Sequence, residues 1–205
     1  MKPLIFCIEG IDCVGKSSLS KKIMKIMNNS KVKIIHFPRY ETELGKKIKD
    51  VLHSDNCDDS DKLQYYYLAD QISFSKELSD GKYDEYDILI LDRFFLSTSA
   101  YSLTTDKKIF KNIYTLHKVA IKSKRLVVPD YTILITLNDD ADESIFNKRL
   151  NSKKDKDVFE KHDFLLKVNS NYKTAIDLYG DMKCIKYSLS EVNDISEDKL
   201  YEIFI

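Results

Sequence analysis

Gly10-Ile11-Asp12-Cys13-Val14-Gly15-Lys16-Ser17 constrains this chain more than any other stretch. It fits GxxxxGK[ST], follows the apolar run Leu4 to Ile8, and opens a helix-period stretch beginning at Lys16. That context lets the loop wrap a phosphate chain. Successive backbone N–H groups and the helix N-terminus face the phosphates, the Lys16 ammonium reaches the β and γ oxygens, and the Ser17 hydroxyl can bind Mg²⁺. Gly10 to Ser18 is therefore the expected ATP-binding segment, and the chain must place a strand, a tight loop and a helix in that order.

The rest of the sequence repeats that alternation. Apolar, β-branched runs that read as buried parallel strands fall at Pro3 to Ile8, Val32 to Phe37, Asp87 to Leu91, Tyr131 to Leu137 and Met182 to Tyr187. Helix-period stretches lie between and after them: Lys16 to Met27, Glu43 to His53, Asp58 to Ser79, Phe94 to Tyr101, Lys107 to Lys124, Ala141 to Leu150, Phe159 to Tyr179 and Ser196 to Phe204. The expectation is an α/β chain with a P-loop NTPase three-layer fold, a five-stranded parallel sheet carrying helices on both faces. Ligands then sit at the carboxyl ends of the strands. No repeat or Pro/Gly-rich linker interrupts the pattern, so residues 1–205 read as a single domain. Asn151 to Asp157, NSKKDKD, is charged and apolar-free, a solvated turn or a flap.

Composition removes other classes. Lys+Arg and Asp+Glu both total 33, so no general basic field exists to hold nucleic acid or an anionic membrane. No apolar run approaches the ~20 residues of a membrane helix, and the first ten residues lack the pattern of a secretory signal, which points to the cytosol. Cys7, Cys13, Cys57 and Cys184 are scattered, without CxxC pairs or zinc-ligand spacing, and read as reduced thiols. Arginine is scarce, only Arg39, Arg93, Arg125 and Arg149, so the placing of each guanidinium carries information.

One of them follows the third strand. Asp92-Arg93 leaves the apolar run where a parallel sheet binds ligands. Asp92 is a candidate partner of Mg²⁺ or its water, and Arg93 a candidate clamp for phosphate. Taken without the phosphate loop, the same pair is a surface ion pair capping a helix.

With these pieces placed, the sequence resembles the thymidylate kinase family of nucleoside monophosphate kinases from about Leu4 to Tyr172. Phe6 to Asp12 with Gly15-Lys16-Ser17-Ser18 is similar to that family's EGxDxxGKS opening, and Phe37-Pro38-Arg39-Tyr40 to its FPRY variant. Asp92 to Tyr101 is similar to DRxxxSxxAY; Pro129-Asp130, Phe159-Glu160 and Phe164 to Tyr172 resemble the PD turn, the end of the lid and the helix behind it. The resemblance implies transfer of the ATP γ-phosphoryl group to deoxythymidine monophosphate by a homodimer with a lid, here about residues 141–160.

It also implies roles. Asp12 accepts a hydrogen bond from the sugar 3′-hydroxyl, and Tyr101 excludes a 2′-hydroxyl. Phe37, Arg39 and Tyr40 line the acceptor site, with Arg39 or the Tyr40 hydroxyl on the monophosphate. Tyr67 stacks on the base or is a core aromatic, since Tyr65, Tyr66 and Tyr67 cannot all face one ligand from a helix. Ser97 bonds the base edge or its own helix. Arg149 folds over the transferring phosphate or is an exposed helix-end charge, and Glu160 is a lid salt-bridge partner or a solvated helix start. Arg125 matches nothing and reads as structural.

The pattern departs from the family in three places. Gln71 stands where arginine usually touches the pyrimidine, and its amide suits thymine or cytosine. Cys13 replaces a catalytic arginine of one branch, and Lys153 and Lys154, with Val158, replace the arginine-rich lid of the other. Transition-state charge then rests on Lys16, Arg93, Arg149 and a lid lysine, implying slow turnover or a broad acceptor range. A deoxynucleoside kinase, a broader monophosphate kinase and an inactive nucleotide-binding module are the alternatives.

Overall fold

A computed structural model describes residues 2–52, 60–153, 161–180 and 182–203. Five strands, β1 (Leu4–Glu9), β2 (Val32–His36), β3 (Ile88–Asp92), β4 (Tyr131–Thr136) and β5 (Cys184–Ser188), form one sheet in the order β2-β3-β1-β4-β5. Every pairing is parallel. β1 and β3 occupy inner positions and are buried almost throughout, which is why both read as continuous apolar runs without alternation.

The helices are α1 (Lys16–Ile26), α2 (Glu43–Leu52), α3 (Ser60–Ser79), α4 (Phe95–Thr105), α5 (Lys107–Lys122), α6 (Asp140–Ser152), α7 (His162–Tyr179), α8 (Leu189–Asp194) and α9 (Glu197–Tyr201). The α/β architecture expected from the sequence is present, with strand limits shifted by a residue or two. α4 runs to Thr105, four residues past the expected end, because Asp106 is extended and begins the next helix as its cap, accepting from Lys108 N. α6 takes in Asn151 and Ser152, the start of the charged stretch. Lys153 follows as the helix's C-cap, and the rest of that stretch, with Lys154, Val158, Phe159 and Glu160, lies outside the described residues, as do Cys57 and Asp58. α8 is an addition, held by a reciprocal cap between Ser188 and Glu191.

Register positions the site. Ile8 and His36 both align with Asp92, so β1, β2 and β3 end level with one another. Main-chain bonds continue the alignment past the strand ends, Arg93 N donating to Ile8 O at 3.0 Å and Phe37 N to Asp92 O at 3.0 Å. The phosphate loop, the Phe37 turn and the Asp92-Arg93 pair therefore meet at one edge. Behind them an aromatic core packs Phe37 edge-on against Phe74 and Phe94 at 5.4 and 5.0 Å.

Candidate active site

The loop after β1 has the shape its sequence requires. Gly10 and Gly15 have φ of 141° and 100°, and a Cβ on Gly10 would lie 2.5 Å from the carbonyl oxygen of Ile135. Gly15 caps α1 and has no side chain with which to occupy the N–H groups of the first turn, leaving them for an anion. Lys16 lies only 7% exposed, its Nζ donating to Ile11 O at 2.8 Å and standing 3.8 Å from Asp12 Oδ1. Burial and the neighbouring Arg93 depress the ammonium's pKa, opposed by Asp12, Asp92 and Glu9.

Arg93 sits at φ 68° just beyond β3. Its guanidinium donates to Asp12 Oδ1 at 2.6 Å and to Gly10 O at 2.8 Å, with Ser97 Oγ and Tyr172 Oη each at 3.4 Å. Burial alone would raise the Asp12 pKa, but Arg93 and Lys16 overcome it and hold the carboxyl well below its ordinary range. Behind this cluster Glu9 is buried, accepting from Ser97 Oγ and, at 2.9 Å, from Phe94 N. Desolvation raises its pKa against those donors. Asp92 Oδ2 lies 3.1 Å from His36 Nδ1, while Asp92 Oδ1 is buried with no hydrogen-bond partner. Burial opposes ionisation of Asp92, yet the His36 hydrogen bond and Lys16 lower its pKa. His36 is raised in turn, chiefly by that hydrogen bond.

Two pockets open from this edge. One is lined by the loop residues Asp12, Cys13, Gly15, Lys16, Ser17 and Ser18, together with Asp92, Arg149 and Lys153. Arg149 Nη1 donates to Cys13 O at 3.2 Å and Nη2 to Asn193 Oδ1 at 3.0 Å, so this helix-end charge reaches across to the loop. The second pocket is lined by Phe37, Tyr40, Tyr67, Gln71, Ser97 and Tyr101, among others. Asp12, His36, Phe37 and Arg93 line both.

Most residues singled out from the sequence thus converge, and several geometries resolve open readings. Tyr67 faces the second pocket and also packs on the small cluster of Ile48, Leu52 and Leu63. The Ser97 hydroxyl donates to Glu9, so it serves the buried carboxylate rather than its own helix. Gln71 is 2% exposed and its Nε2 donates to Thr98 Oγ1 at 2.8 Å. Tyr101 lies under the Arg93 guanidinium, 5.4 Å from ring centre to Cζ.

Arg39 is the exception. It was expected to line the acceptor site, but it is 2% exposed and lines neither pocket. Nε donates to Asp70 Oδ1 and Nη1 to Glu77 Oε2, both at 2.8 Å, and Nη2 to Asp70 O at 3.3 Å. The acidic groups of α3 draw the guanidinium inward and leave Phe37, Pro38 and Tyr40, the last 46% exposed, as the members of the turn that reach the pocket. His36 was not singled out, because a lone histidine at a strand end carries no motif; its register with Asp92 becomes visible only in the sheet.

A parallel sheet with a phosphate loop at its edge, opening beside a second pocket lined by aromatic and amide side chains, defines a P-loop phosphotransferase acting on nucleotides. The thymidylate kinase family model matches residues 8–198, and the chain belongs to the thymidylate kinase family. It is an ATP-dependent nucleoside monophosphate kinase, and phosphoryl transfer to deoxythymidine monophosphate is the family's reaction. The chain is 28% identical to a thymidylate kinase of Brachyspira hyodysenteriae, over 98% of this chain and 97% of that one. It is 27% identical to a probable thymidylate kinase of Methanosphaera stadtmanae, over 94% and 93% of the two chains. A solved thymidylate kinase from Candida albicans shares the fold, with a TM-score of 0.66 at 24% identity over 99% of this chain and 91% of its own.

Proposed function

We propose that the two pockets hold donor and acceptor of this reaction, ATP on the phosphate loop and deoxythymidine monophosphate in the pocket beside it. The observation that carries the assignment is their shared wall of Asp12, His36, Phe37 and Arg93, which sets the two phosphate groups against one another. Gly10 to Ser18 cradle the donor and Lys16 neutralises its β and γ oxygens. Arg93 spans the shared wall and holds the group in transfer. Arg149 and Lys153 close over the donor from the lid side. Such catalysis rests on positioning and fixed charge rather than on a protein nucleophile.

In the acceptor pocket Phe37 and Tyr67 flank the base, Gln71 and Thr98 meet its edge, and Tyr40 reaches toward the monophosphate. Ser97 acts through Glu9, holding the wall on which Arg93 rests. Asp12 takes the sugar 3′-hydroxyl, and Tyr101 fills the space of a 2′-hydroxyl. Ser17 and Asp92 supply hard oxygen donors next to the phosphates, and the unpartnered Asp92 Oδ1 suits Mg²⁺ or its bound water. When bound, that ion neutralises phosphate charge.

Residues 1–205 act in this reading as one domain with a lid at about 141–160. The family resemblance alone supports a homodimer in the cytosol. Among the described residues no helix is long and apolar enough to cross a membrane.

A coupled ADP-release assay with Mg-ATP and a panel of pyrimidine monophosphates tests the assignment. Deoxythymidine monophosphate is expected to be the preferred acceptor, with uridine and cytidine monophosphates rejected. Phosphorylation of thymidine without phosphorylation of its monophosphate would overturn it. Equal use of deoxycytidine monophosphate would keep the reaction and shift base choice to Gln71.

A further inference from the structure

Tyr172 on α7 is fully buried and lines neither pocket, yet its hydroxyl is where that helix reaches the phosphate loop and Arg93. Oη lies 2.8 Å from Ser97 Oγ, 3.3 Å from both Glu9 Oε2 and Gly10 O, and 3.4 Å from Arg93 Nη1. Each of these partners is at least 75 positions away in the chain, so no local requirement of α7 explains the oxygen. A phenyl ring would fill the same place in the core without it.

The direction of these bonds follows from which groups can donate. A guanidinium only donates, and Glu9 accepts from Phe94 N, Ser97 N and Ser97 Oγ. The single hydroxyl proton of Ser97 therefore points at Glu9, so Tyr172 donates to Ser97 Oγ and its own oxygen is left to accept from Arg93 Nη1. Burial and the neighbouring Glu9 raise the phenol's pKa, which keeps that proton in place. A file of donors thus runs from Arg93 through Tyr172 and Ser97 to Glu9, each bond polarising the next. Arg93 needs such a hold, because it is a non-glycine residue at φ 68°, a conformation that persists only where its surroundings fix it. Asp12 holds Nη2 at 2.6 Å, while Gly10 O and the paired hydroxyls of Tyr172 and Ser97 hold Nη1.

We propose that Tyr172 is a positioning residue for phosphoryl transfer. It fixes the Arg93 guanidinium from the core side and touches neither substrate. The inference rests on the role given to Arg93 at the wall the two pockets share.

Tyr172→Phe removes the oxygen and keeps the ring. Its transfer rate is measured in single turnovers, with enzyme in excess over deoxythymidine monophosphate and saturating Mg-ATP, beside calorimetric binding of each nucleotide. The rate is expected to fall about tenfold, the effect of a clamp loosened in the transition state. Affinity for either nucleotide should stay within about twofold of the parent, because Tyr172 touches neither. Two comparisons separate this role from a structural one. Tyr179→Phe deletes another buried hydroxyl of α7, bonded to Ser99 and His117 rather than to the site, and should leave the rate unchanged whatever it does to the melting temperature. Added to Arg93→Ala, Tyr172→Phe should slow transfer by less than about twofold more, since a residue that acts through Arg93 then has nothing to act on. An unchanged rate in Tyr172→Phe would overturn the proposal, as would an equal loss in Tyr179→Phe or a full further loss on top of Arg93→Ala. If Tyr172→Phe does not fold, Ser97→Ala breaks the same file one step nearer Glu9, and a normal rate there would overturn the proposal instead. A parent enzyme that fails to phosphorylate deoxythymidine monophosphate would overturn the pocket assignment itself, a result distinct from the failure of Tyr172 alone.

Discussion

Arg39 and Arg93 each leave the end of a strand, each meets carboxylates, and the two end with opposite uses. Arg39 lies between two carboxylates, Asp70 and Glu77, the second of which also takes Lys82 Nζ at 2.8 Å, and its side chain is 2% exposed. Asp70 and Glu77 lie seven residues apart on α3, two turns along the same helix face, so a single element supplies both anions. Arg93 and Lys16 are two cations on one carboxylate, Asp12, at 2.6 and 3.8 Å. The first cluster is sealed from both pockets; the second faces them, with Arg93 15% exposed. An arginine near a phosphate site is thus a clamp only when the fold leaves its guanidinium facing that site. Asp70 and Glu77 decide the matter for Arg39, although neither stands in a phosphate motif.

Arg93→Ala should break the open cluster. Lys16 alone then faces Asp12, and the guanidinium that spans the shared wall is gone. We expect kcat/KM to fall about 10⁴-fold, within the range for a phosphoryl-transfer arginine. Steady-state kinetics on protein whose circular dichroism matches the parent measures it, and a loss below about tenfold would show that Lys16 and Arg149 suffice. Arg39→Met should break the closed cluster in the other currency, stability. Asp70, 1% exposed, is left without its buried cation while Glu77 keeps Lys82, which destabilises by about 4 kcal/mol in denaturant unfolding. The KM for deoxythymidine monophosphate of the folded fraction should hardly change. A raised KM without loss of stability would return Arg39 to the acceptor site and erase the contrast.

The same contrast marks what the chain discloses before it is folded. Strands β1 and β3 and the phosphate loop are legible because each depends on local rules: continuous apolar runs for strands buried on both faces, and glycines where φ must be positive. α8 was missed because six residues hold little periodicity, although Ser188 three before Glu191 is a capping signal. Residues carried by a contiguous motif were legible in position: Asp12 follows β1, Lys16 opens α1, and Asp92 and Arg93 stand at the end of β3. The direction of Arg39 was not legible, because it depends on acidic groups more than thirty residues away. His36 was invisible for the same reason, since its partner Asp92 lies on another strand.

A third interior cluster extends the comparison, because it is polar but carries no charge. His117 on α5 is fully buried, its Nδ1 2.6 Å from Tyr179 Oη, which in turn lies 2.8 Å from Ser99 Oγ; His117 Nε2 has no partner. Burial away from water lowers its pKa to about 3 from the 6.5 of a free imidazole. The unfolded chain therefore binds more protons than the folded one between those values, so the contribution is complete above the free value and is lost as pH falls toward about 3. His36 acts with opposite sign, since its folded pKa is raised and its contribution fades as pH rises. Lowering the pH from about 7.5 to about 5 should remove about 2 kcal/mol through His117. Chemical denaturation across that range, on the parent and on His117→Asn, isolates the effect because every other titrating group is common to both. The variant should be less stable near neutrality and should lose less on acidification by that amount. Parallel pH curves would mean that His117 is solvated or already charged, and that a closed cluster in this fold need not be neutral to dispense with a counterion.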